Sequence, residues 1–486
     1  MGDNLKQKMV GALTWSSIDR FGQQAIQLII GMILSRLLSP DDFGLLGLVM
    51  IFSALSFVLV ESGFGQALIR KTDVNETDYN TIFYFNISAS FFLYVILFFI
   101  SPFIAAFFEE PKLTFICRIL FTAIIFNSFY LIPLSKLGRV LDYKTIAKVN
   151  LISTTLSGFI GVAVAVTGYG VWALILQQVS YHFLRMVFFH FFVKWKPAFL
   201  FSFKVIRDFW KFSIHLLSTS VLNIIFNYIF VLILGKFYQK SDVGYYTQGN
   251  KLNETFSFTF QSILVGSTFA LFSQIQNDDE RFRRIFREIA NKISIVTFPV
   301  LMGLIAAAHP LIEVVWSAKF LPSVPYFQLL CLASLFTPLY TLNISALNAR
   351  GKSRITFRVE IIKKALILAS LLFTFSFGII TMLWGYAAAS IISYLISIIY
   401  LKKEINHYIK HQVLDFIQSF IFGLLIAALI AIISLAANKA ILILPIQIAV
   451  AAIVYILIIK AFYKDLYNKS VVYIKEKLLT LNGNKR

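Results

Sequence analysis

About fourteen apolar segments run along this chain, and its basic residues gather at one end of them. The segments begin near residues 13, 43, 81, 113, 147, 171, 212, 243, 290, 326, 359, 383, 416 and 441. A helix of about 20 residues spans the hydrocarbon core of a bilayer, and the segments suit that length. The chain is 58% hydrophobic and 14% charged, whereas soluble domains carry about 25% charged residues. The pattern predicts an all-α, polytopic membrane protein with about 14 transmembrane helices.

The basic residues also orient the predicted helices. Of the 44 Lys and Arg residues, 34 fall in the termini and the even-numbered connections, and six fall on the other side. The positive-inside rule then places both termini in the cytoplasm, which requires an even number of spans. Fourteen spans are therefore favoured over thirteen, and twelve spans with two re-entrant segments stay open. Orientation and contact with anionic headgroups explain the net charge of +20 without nucleic acid. In this interpretation the stretch 281–287, RFRRIFR, lies along the membrane surface.

The chain repeats itself weakly at an offset of 200 residues. RLLSPDDFG at 36–44 matches KFYQKSDVG at 236–244. Asp42 and Asp242 are predicted N-caps of the helices that follow. Because the offset spans six helices, the two halves share topology and form parallel repeats, as in transporters that hold substrate between halves. We therefore predict six-helix lobes at 1–210 and 211–410, followed by two extra helices and a basic tail at 411–486.

Polar side chains inside the predicted helices mark a candidate cavity. A charge within a membrane span costs about 2.5–3.5 kcal/mol on insertion scales and usually faces water or a partner. Matching polar stripes on the first and seventh helices, together with one lysine on the eighth, are the predicted substrate-binding residues: Arg20, Gln23, Gln24, Gln27, Asn223, Asn227 and Lys251. We expect both stripes to face a hydrated cavity between the halves. Hydrogen bonding between buried helices is the alternative explanation.

The other charged residues within the predicted helices receive structural interpretations. Lys251 and Glu254 are three residues apart, which suits a local ion pair. Asp19 is expected to point away from the Arg20 stripe and to neutralise another group. The remaining four are expected near helix ends, where snorkelling explains them: Glu61, Arg185, Glu313 and Glu360.

Motifs for covalent chemistry and for cofactors are missing from the sequence. It contains no GxxxxGK[ST] motif for nucleotide phosphates. It contains no CxxC, HExxH or Cys/His cluster typical of a metal site. No nucleophile–base pair or carboxylate dyad is evident either. We expect a protein that is not an enzyme and has no cofactor.

The N-terminal quarter of the chain resembles a known family. A first helix containing Trp15, the turn LSPDDFG and the following GFGQALI segment are similar to the polysaccharide transporters, or Wzx-type flippases, of the multidrug/oligosaccharidyl-lipid/polysaccharide (MOP) exporter superfamily. In the second half, SDVGYYTQGNKL is similar to the matching repeat motif. Fourteen spans and six-helix halves also agree with that family.

The resemblance implies a two-lobed flippase of the bacterial inner membrane. It would move undecaprenyl-pyrophosphate-linked oligosaccharide repeat units to the outer leaflet by alternating access, for O-antigen, capsule or exopolysaccharide assembly. Arg20 and Lys251 would be the basic cavity residues, and the last two helices would shape a groove for the lipid tail. Membrane lipids, the polysaccharide polymerase and the chain-length machinery are the implied partners.

Three other functions stay open at this stage. A cation-coupled multidrug antiporter of the same superfamily would bind cations with deep acidic residues, whereas the best buried charges here are basic. A membrane-embedded glycosyltransferase or polymerase would need a larger external loop than the connections of about ten residues found here. A scramblase without energy coupling cannot be separated from a flippase by sequence.

Overall fold

The computed structural model describes residues 2–61, 63–71, 73–405, 409–436, 439–464 and 468. These residues are helical or in connections, with no strand among them. The chain divides into two compact units, residues 1–248 and residues 249–486. Each unit is a bundle of helices. The predicted lobe boundaries at 210 and 410 come from the sequence repeat and stay predictions.

The first unit contains nine helices among its described residues: α1 (Gly2–Leu37), α2 (Pro40–Glu61), α3 (Phe64–Arg70), α4 (Glu76–Phe107), α5 (Leu113–Leu120), α6 (Thr122–Arg139), α7 (Tyr143–Val166), α8 (Val171–Phe192) and α9 (Phe203–Phe237). Helix α7 packs against both α1 and α8, and α6 packs against α8 and α4. Helix α9 packs mainly against α2.

A long helix, α10 (Lys240–Gln274), crosses from the first unit into the second. The other α-helices of the second unit are α11 (Asp279–Ala306), α12 (Ala308–Trp316), α13 (Val324–Ser334), α14 (Thr337–Ala349), α15 (Ser353–Thr374), α16 (Ile379–Ile405), α17 (Ile409–Ala436) and α18 (Ala440–Phe462). Short 3-10 helices lie at Ala318–Ser323 and Phe375–Phe377. Helix α11 packs along α17, and α16 packs against α15 and α13.

All fourteen predicted segment starts fall inside helices. Within the described residues, ten stretches are long and apolar enough to cross a membrane. The number of spans stays a prediction. Helices α1, α8, α10 and α15 are long but are outside this set. Each of the four carries charged or amide side chains along its length, which lowers its hydropathy.

Backbone turns recur at a near-constant interval. Positive φ angles occur at Glu109 and Ser317, at Leu141 and Gly351, and at Gly168 and Gly378. The members of these pairs are 208 to 210 residues apart. A left-handed backbone conformation is costly for residues with a side chain, so its recurrence at non-glycine positions reflects turn geometry rather than local preference. These turns support a duplicated set of helices.

The two Asp-x-Gly motifs have a different structural role from the predicted one. Helix α2 begins at Pro40 and α10 at Lys240, so neither Asp42 nor Asp242 is an N-cap. Instead the Asp42 carboxylate accepts hydrogen bonds from the backbone and hydroxyl of Ser39 at 3.0 and 2.7 Å. The Asp242 carboxylate likewise accepts from the Gln239 backbone at 3.3 Å. Both aspartates occupy the third helical position and reach back to the cap, as in a capping box.

The glycines of these motifs allow α2 and α10 to cross closely. A Cβ on Gly44 would overlap the Lys240 carbonyl, and a Cβ on Gly244 would overlap the Pro40 carbonyl. The contact is reciprocal, since the same position of each repeat touches the start of the other helix. Small residues at such crossings let helix backbones approach in membrane proteins.

In the first unit, ion pairs join the turns between helices at both ends of the bundle. At one end, Lys236 pairs with Glu109 at 2.8 Å and Lys240 pairs with Glu110 at 2.7 Å, which joins the α4–α5 and α9–α10 turns. These bonds lower the pKa of Glu109 below its usual 4.5 and raise the pKa of Lys240 above its usual 10.5.

At the other end of this unit, connections that carry basic residues meet. Lys136 pairs with Glu76 at 2.7 Å, and Trp195 donates to the same carboxylate at 2.9 Å. Arg139 donates to the backbone carbonyls of Leu68 and Lys71. The first unit therefore brings together, at one end, connections that the count of Lys and Arg residues places on one side of the membrane.

The segment 281–287 does not form a separate surface helix. It is part of α11, which continues without a break to Ala306. Phe282 and Phe286 are fully buried and stack on Phe272, with ring centroids 4.8 and 6.1 Å away. Because these rings are core residues, the segment is part of the helix bundle, and its position along the membrane surface stays a prediction.

Candidate functional site

The polar stripe of α1 divides into an exposed part and a part that faces the bundle. Arg20 and Gln27 are exposed, whereas Gln23 and Gln24 are half-buried. Helix α1 packs along α7, and this packing leaves Arg20 and Gln27 outside the contact. In a membrane, an exposed arginine and amide on one helix face require water or a polar partner.

The two asparagines of α9 are also exposed. Asn223 and Asn227 lie one helical turn apart, on a helix that packs mainly against α2. The first unit thus presents two polar stripes on helices with different main packing partners. That both stripes face one cavity stays a prediction.

Gln23 belongs to a network of hydrogen bonds inside the first unit. Its Nε2 donates to Asp19 Oδ1 at 2.8 Å, and Tyr181 OH donates to its Oε1 at 3.3 Å. Asn150 Nδ2 donates to both oxygens of Asp19, at 3.2 and 3.0 Å. Asp19 therefore does face away from the exposed stripe, towards α7, and is stabilised by neutral amides. Sequence reasoning left it out of the site.

An arginine of α8 occupies the interior of the same unit. Arg185 Nη1 donates to Tyr130 OH at 2.9 Å, and its guanidinium lies 4.3 Å from that ring's centroid. The Tyr130 hydroxyl is in turn 2.9 Å from His182 Nδ1. Since the arginine uses the hydroxyl as an acceptor, the hydroxyl proton is available for the histidine nitrogen. The Nε atom of Arg185 is buried without a partner among the described residues.

The interpretation of Arg185 as a snorkelling residue was therefore wrong. The residue lies two turns from the end of α8 and binds a fully buried tyrosine, so its charge is held inside the unit. Glu61 and Asp19 are near enough for attractive charge–charge interactions with it. The sequence signal for this depth was the position of Arg185, which lies well after Gly170, the residue before α8, and well before the end of the helix.

The second unit has its own charged residues along predicted spans. Lys251 is exposed, and its Nζ lies 5.8 Å from the Trp316 ring centroid. Glu254 accepts a hydrogen bond from Asn250 at 2.8 Å. Within the part of the chain that the structure describes, Lys251 and Glu254 interact at longer range and form no direct ion pair. The predicted local pair was wrong because Asn250, at i−4, occupies the carboxylate.

A second tyrosine-centred contact lies in the same unit. Tyr340 OH donates to Glu360 at 2.8 Å, and Lys363 Nζ lies 4.1 Å from the Tyr340 ring centroid. Tyr340 stands 210 residues after Tyr130, so both units place a buried tyrosine against a charged residue at the corresponding position. The charges differ, because Tyr130 meets a guanidinium and Tyr340 meets a carboxylate.

These arrangements suit binding rather than covalent chemistry. The exposed groups are hydrogen-bond donors and acceptors, with cations at Arg20 and Lys251. Among the described residues, no group of three or more His, Cys, Asp or Glu side chains could hold a metal ion. A guanidinium binds phosphate oxygens in bidentate fashion, and amides bind hydroxyl-rich ligands.

The fold is similar to those of a solved flippase and a solved multidrug transporter. The structure of "Lipid II flippase MurJ" in an inward closed conformation superposes with a TM-score of 0.73, covering 93% of this chain and 99% of that chain at 18% identity. An inward-facing multidrug resistance MATE family transporter of the MOP superfamily gives a TM-score of 0.61, covering 81% of this chain and 98% of that chain at 13% identity. At these identities the likeness concerns the fold.

The sequence comparison identifies the family. The model of the polysaccharide biosynthesis protein family matches residues 33–325, and the chain belongs to this family. "Teichuronic acid biosynthesis protein TuaB" of Bacillus subtilis is 27% identical over 477 residues, covering 94% of this chain and 96% of the relative. "Lipopolysaccharide biosynthesis protein WzxC" of Escherichia coli is 22% identical over 417 residues, covering 83% of this chain and 82% of the relative. The resemblance inferred from sequence is confirmed, and the chain is a multi-pass membrane protein.

Proposed function

We propose that this protein is a flippase for undecaprenyl-pyrophosphate-linked oligosaccharide repeat units. It moves them from the cytoplasmic to the outer leaflet for assembly of a surface polysaccharide such as O-antigen, capsule or exopolysaccharide. The observation that carries the proposal is full-length similarity within a polysaccharide biosynthesis family, joined to a MurJ-like transporter fold. A further relative, "Succinoglycan biosynthesis transport protein ExoT", is described as a transport protein.

The exposed stripes supply the chemistry that such a substrate needs. The substrate combines a diphosphate, which is anionic, with sugar hydroxyls, which are neutral donors and acceptors. Arg20 and Lys251 attract the diphosphate, and Gln27, Asn223 and Asn227 exchange hydrogen bonds with the sugar. A hydrated cavity lined by these groups opens alternately to the two leaflets. No covalent step is involved, so the protein is not an enzyme.

The proposed setting is the bacterial inner membrane, with both termini in the cytoplasm. The support is the excess of Lys and Arg in the connections that would then be cytoplasmic. Helices α17 and α18 lie outside the repeated set and shape a groove for the polyprenyl tail. The polysaccharide polymerase and the chain-length machinery receive the translocated unit.

One observation favours a second candidate, a cation-coupled antiporter. Asp19 is a carboxylate in the interior of the first unit, held by the amides of Gln23 and Asn150. An acidic residue within a membrane span is a feature that cation-coupled transporters use, although the Arg185 guanidinium also attracts this carboxylate. The same group would serve equally as the coupling element of a flippase, so substrate assays decide between the two.

The test uses Arg20→Ala, Lys251→Ala and the double variant in a host that lacks the native protein. We expect each single variant to reduce surface polysaccharide at unchanged membrane level, and the double variant to reduce it about tenfold or more, since one phosphate contact is worth about a factor of ten. Arg36→Ala is the matched control, because Arg36 is an exposed arginine on the same helix that donates to the Met32 carbonyl. Full transport by a correctly inserted double variant would refute the cavity-charge mechanism.

A further inference from the structure

Three arginines of α11 line a cavity that the proposed transport mechanism does not use. The cavity has a volume of about 380 Å³ and is lined by Glu280, Arg283, Arg284, Arg287 and Asn291. These positions follow the 3- and 4-residue spacing of one helix face. The cavity is therefore a groove along the first turns of α11, and its composition is set by that single face.

The orientation of this face is fixed by aromatic packing on another side of the helix. Phe282 and Phe286 are fully buried against Phe272. Because these two rings anchor the helix rotation, the arginines at 283, 284 and 287 cannot turn inward together. Arg284 is exposed and Arg283 is half-buried.

Two of the guanidinium groups are positioned by hydrogen bonds to other residues of the unit. Arg283 Nε donates to the Ile405 carbonyl at 3.0 Å, and Arg287 Nε donates to Asp415 Oδ1 at 2.9 Å. The Asp415 side chain is 2% exposed, whereas that of Arg287 is 47% exposed. Each contact uses the inner nitrogen of the fork, and within the part of the chain that the structure describes the Nη groups make no further hydrogen bond. The donors are therefore positioned before any ligand binds.

The charges on the cavity wall suit a phosphate. Three guanidinium groups and the carboxylate of Glu280 line the cavity. Asp415, behind the lining, pairs with Arg287, so the site keeps an excess of positive charge. Arginine forks match the geometry of phosphate oxygens and form short, charge-assisted hydrogen bonds. A volume near the lower end of the usual range for ligand pockets fits a phosphate or diphosphate group rather than a large organic molecule.

We propose that Arg283, Arg284 and Arg287 form a phosphate-binding site at the basic end of α11. The ligand is a phosphate ester or a diphosphate at the membrane surface, supplied either by a lipid headgroup or by a diphosphate in solution. None of the three residues belongs to the proposed cavity set, so this site is separate from the proposed function and can hold whether or not that function does.

The test measures binding of labelled inorganic pyrophosphate to the full-length protein in phosphatidylcholine nanodiscs. Arg284→Gln removes one guanidinium that has no ion pair among the described residues, and we expect binding to weaken about tenfold. Arg281→Gln is the matched control. Arg281 is exposed on the same turn and carries the same charge, but it does not line the cavity. The backbone N–H of Arg281 donates a hydrogen bond to the Asp278 carboxylate, and the substitution keeps this bond.

A second arm identifies the source of the phosphate. Nanodiscs containing phosphatidylglycerol are analysed by native mass spectrometry for retained lipid. Loss of retained phosphatidylglycerol in Arg284→Gln but not in Arg281→Gln supports the site and assigns it to a lipid headgroup. Loss of pyrophosphate binding alone supports the site for a diphosphate in solution. Equal effects of the two variants in both arms, or no binding of either probe to the wild type, would overturn the proposal.

Discussion

Substitution of Gly44 by alanine tests the close crossing of α2 and α10. The new methyl group would overlap the carbonyl oxygen of Lys240, with the carbonyl carbon 2.8 Å away and the Gly244 nitrogen 3.3 Å away. Non-bonded carbon contacts are favourable at about 3.5–4.0 Å. Because both obstructing groups are backbone atoms, no side-chain rotation relieves the overlap. The helices must separate locally by roughly 1 Å.

The cost of that separation can be estimated. Overpacking a tight contact typically costs about 1–3 kcal/mol, and a backbone obstruction lies at the upper end. The gain in helix propensity from Gly to Ala offsets about 1 kcal/mol at most. For a chain of this size, each kcal/mol shifts the midpoint of thermal unfolding by roughly 1–2 °C. We expect Gly44→Ala to lower the midpoint by about 2–4 °C, and Gly244→Ala to do the same because the contact is reciprocal.

The assay is thermal unfolding of the purified protein in nanodiscs, at a fixed scan rate. Gly11→Ala is the matched control, since Gly11 lies within α1 and a Cβ there meets nothing within 4 Å. That variant should be neutral or more stable by about 0.5–1 kcal/mol. Equal midpoints for Gly44→Ala and Gly11→Ala would refute the close crossing.

Three further outcomes are expected from other contacts. Glu109→Gln removes a carboxylate whose pKa is lowered by its hydrogen bond with Lys236. The contribution of this carboxylate to the free energy of unfolding is present above pH 4.5 and is lost as the pH falls through the lowered pKa. The unfolding midpoints of the wild type and the variant should therefore differ at pH 7 and converge near pH 3. Tyr130→Phe leaves Arg185 and His182, both half-buried, without their shared partner and should cost about 1–3 kcal/mol in unfolding titrations. Tyr169→Phe, at an exposed tyrosine, should cost nothing measurable. Asn75→Ala breaks the capping box of α4 and should cost about 1 kcal/mol by the same titrations.

The helical architecture was predictable because a bilayer imposes one dominant requirement on sequence. Apolar runs of the right length had to become helices, and all fourteen predicted starts lie in helices. The repeat was visible at RLLSPDDFG and KFYQKSDVG because a close crossing needs glycine and a helix start needs a cap. The cap itself was misplaced by three residues in both repeats, since sequence shows the Asp but not whether it caps from outside or from the third helical position.

The interior of the first unit could not be predicted in the same way. Periodicity placed Gln23 and Asp19 on α1, but their partners Asn150 and Tyr181 lie more than 120 residues away on α7 and α8. Such pairings depend on which helices are neighbours, which one sequence does not specify. Arg185 was misjudged for the same reason, because a snorkelling arginine and one bound to Tyr130 differ only in tertiary contacts.

The location of lipid-linked sugars in a strain without this protein tests the proposed function most directly. A membrane-impermeant glycan-cleaving enzyme would be applied to intact spheroplasts, and the cleaved fraction of lipid-linked oligosaccharide would be measured. The flippase proposal predicts that the precursor accumulates uncleaved on the cytoplasmic face and becomes cleavable when the wild-type protein is restored. Normal cleavage in the deletion strain, with no second flippase present, would contradict it.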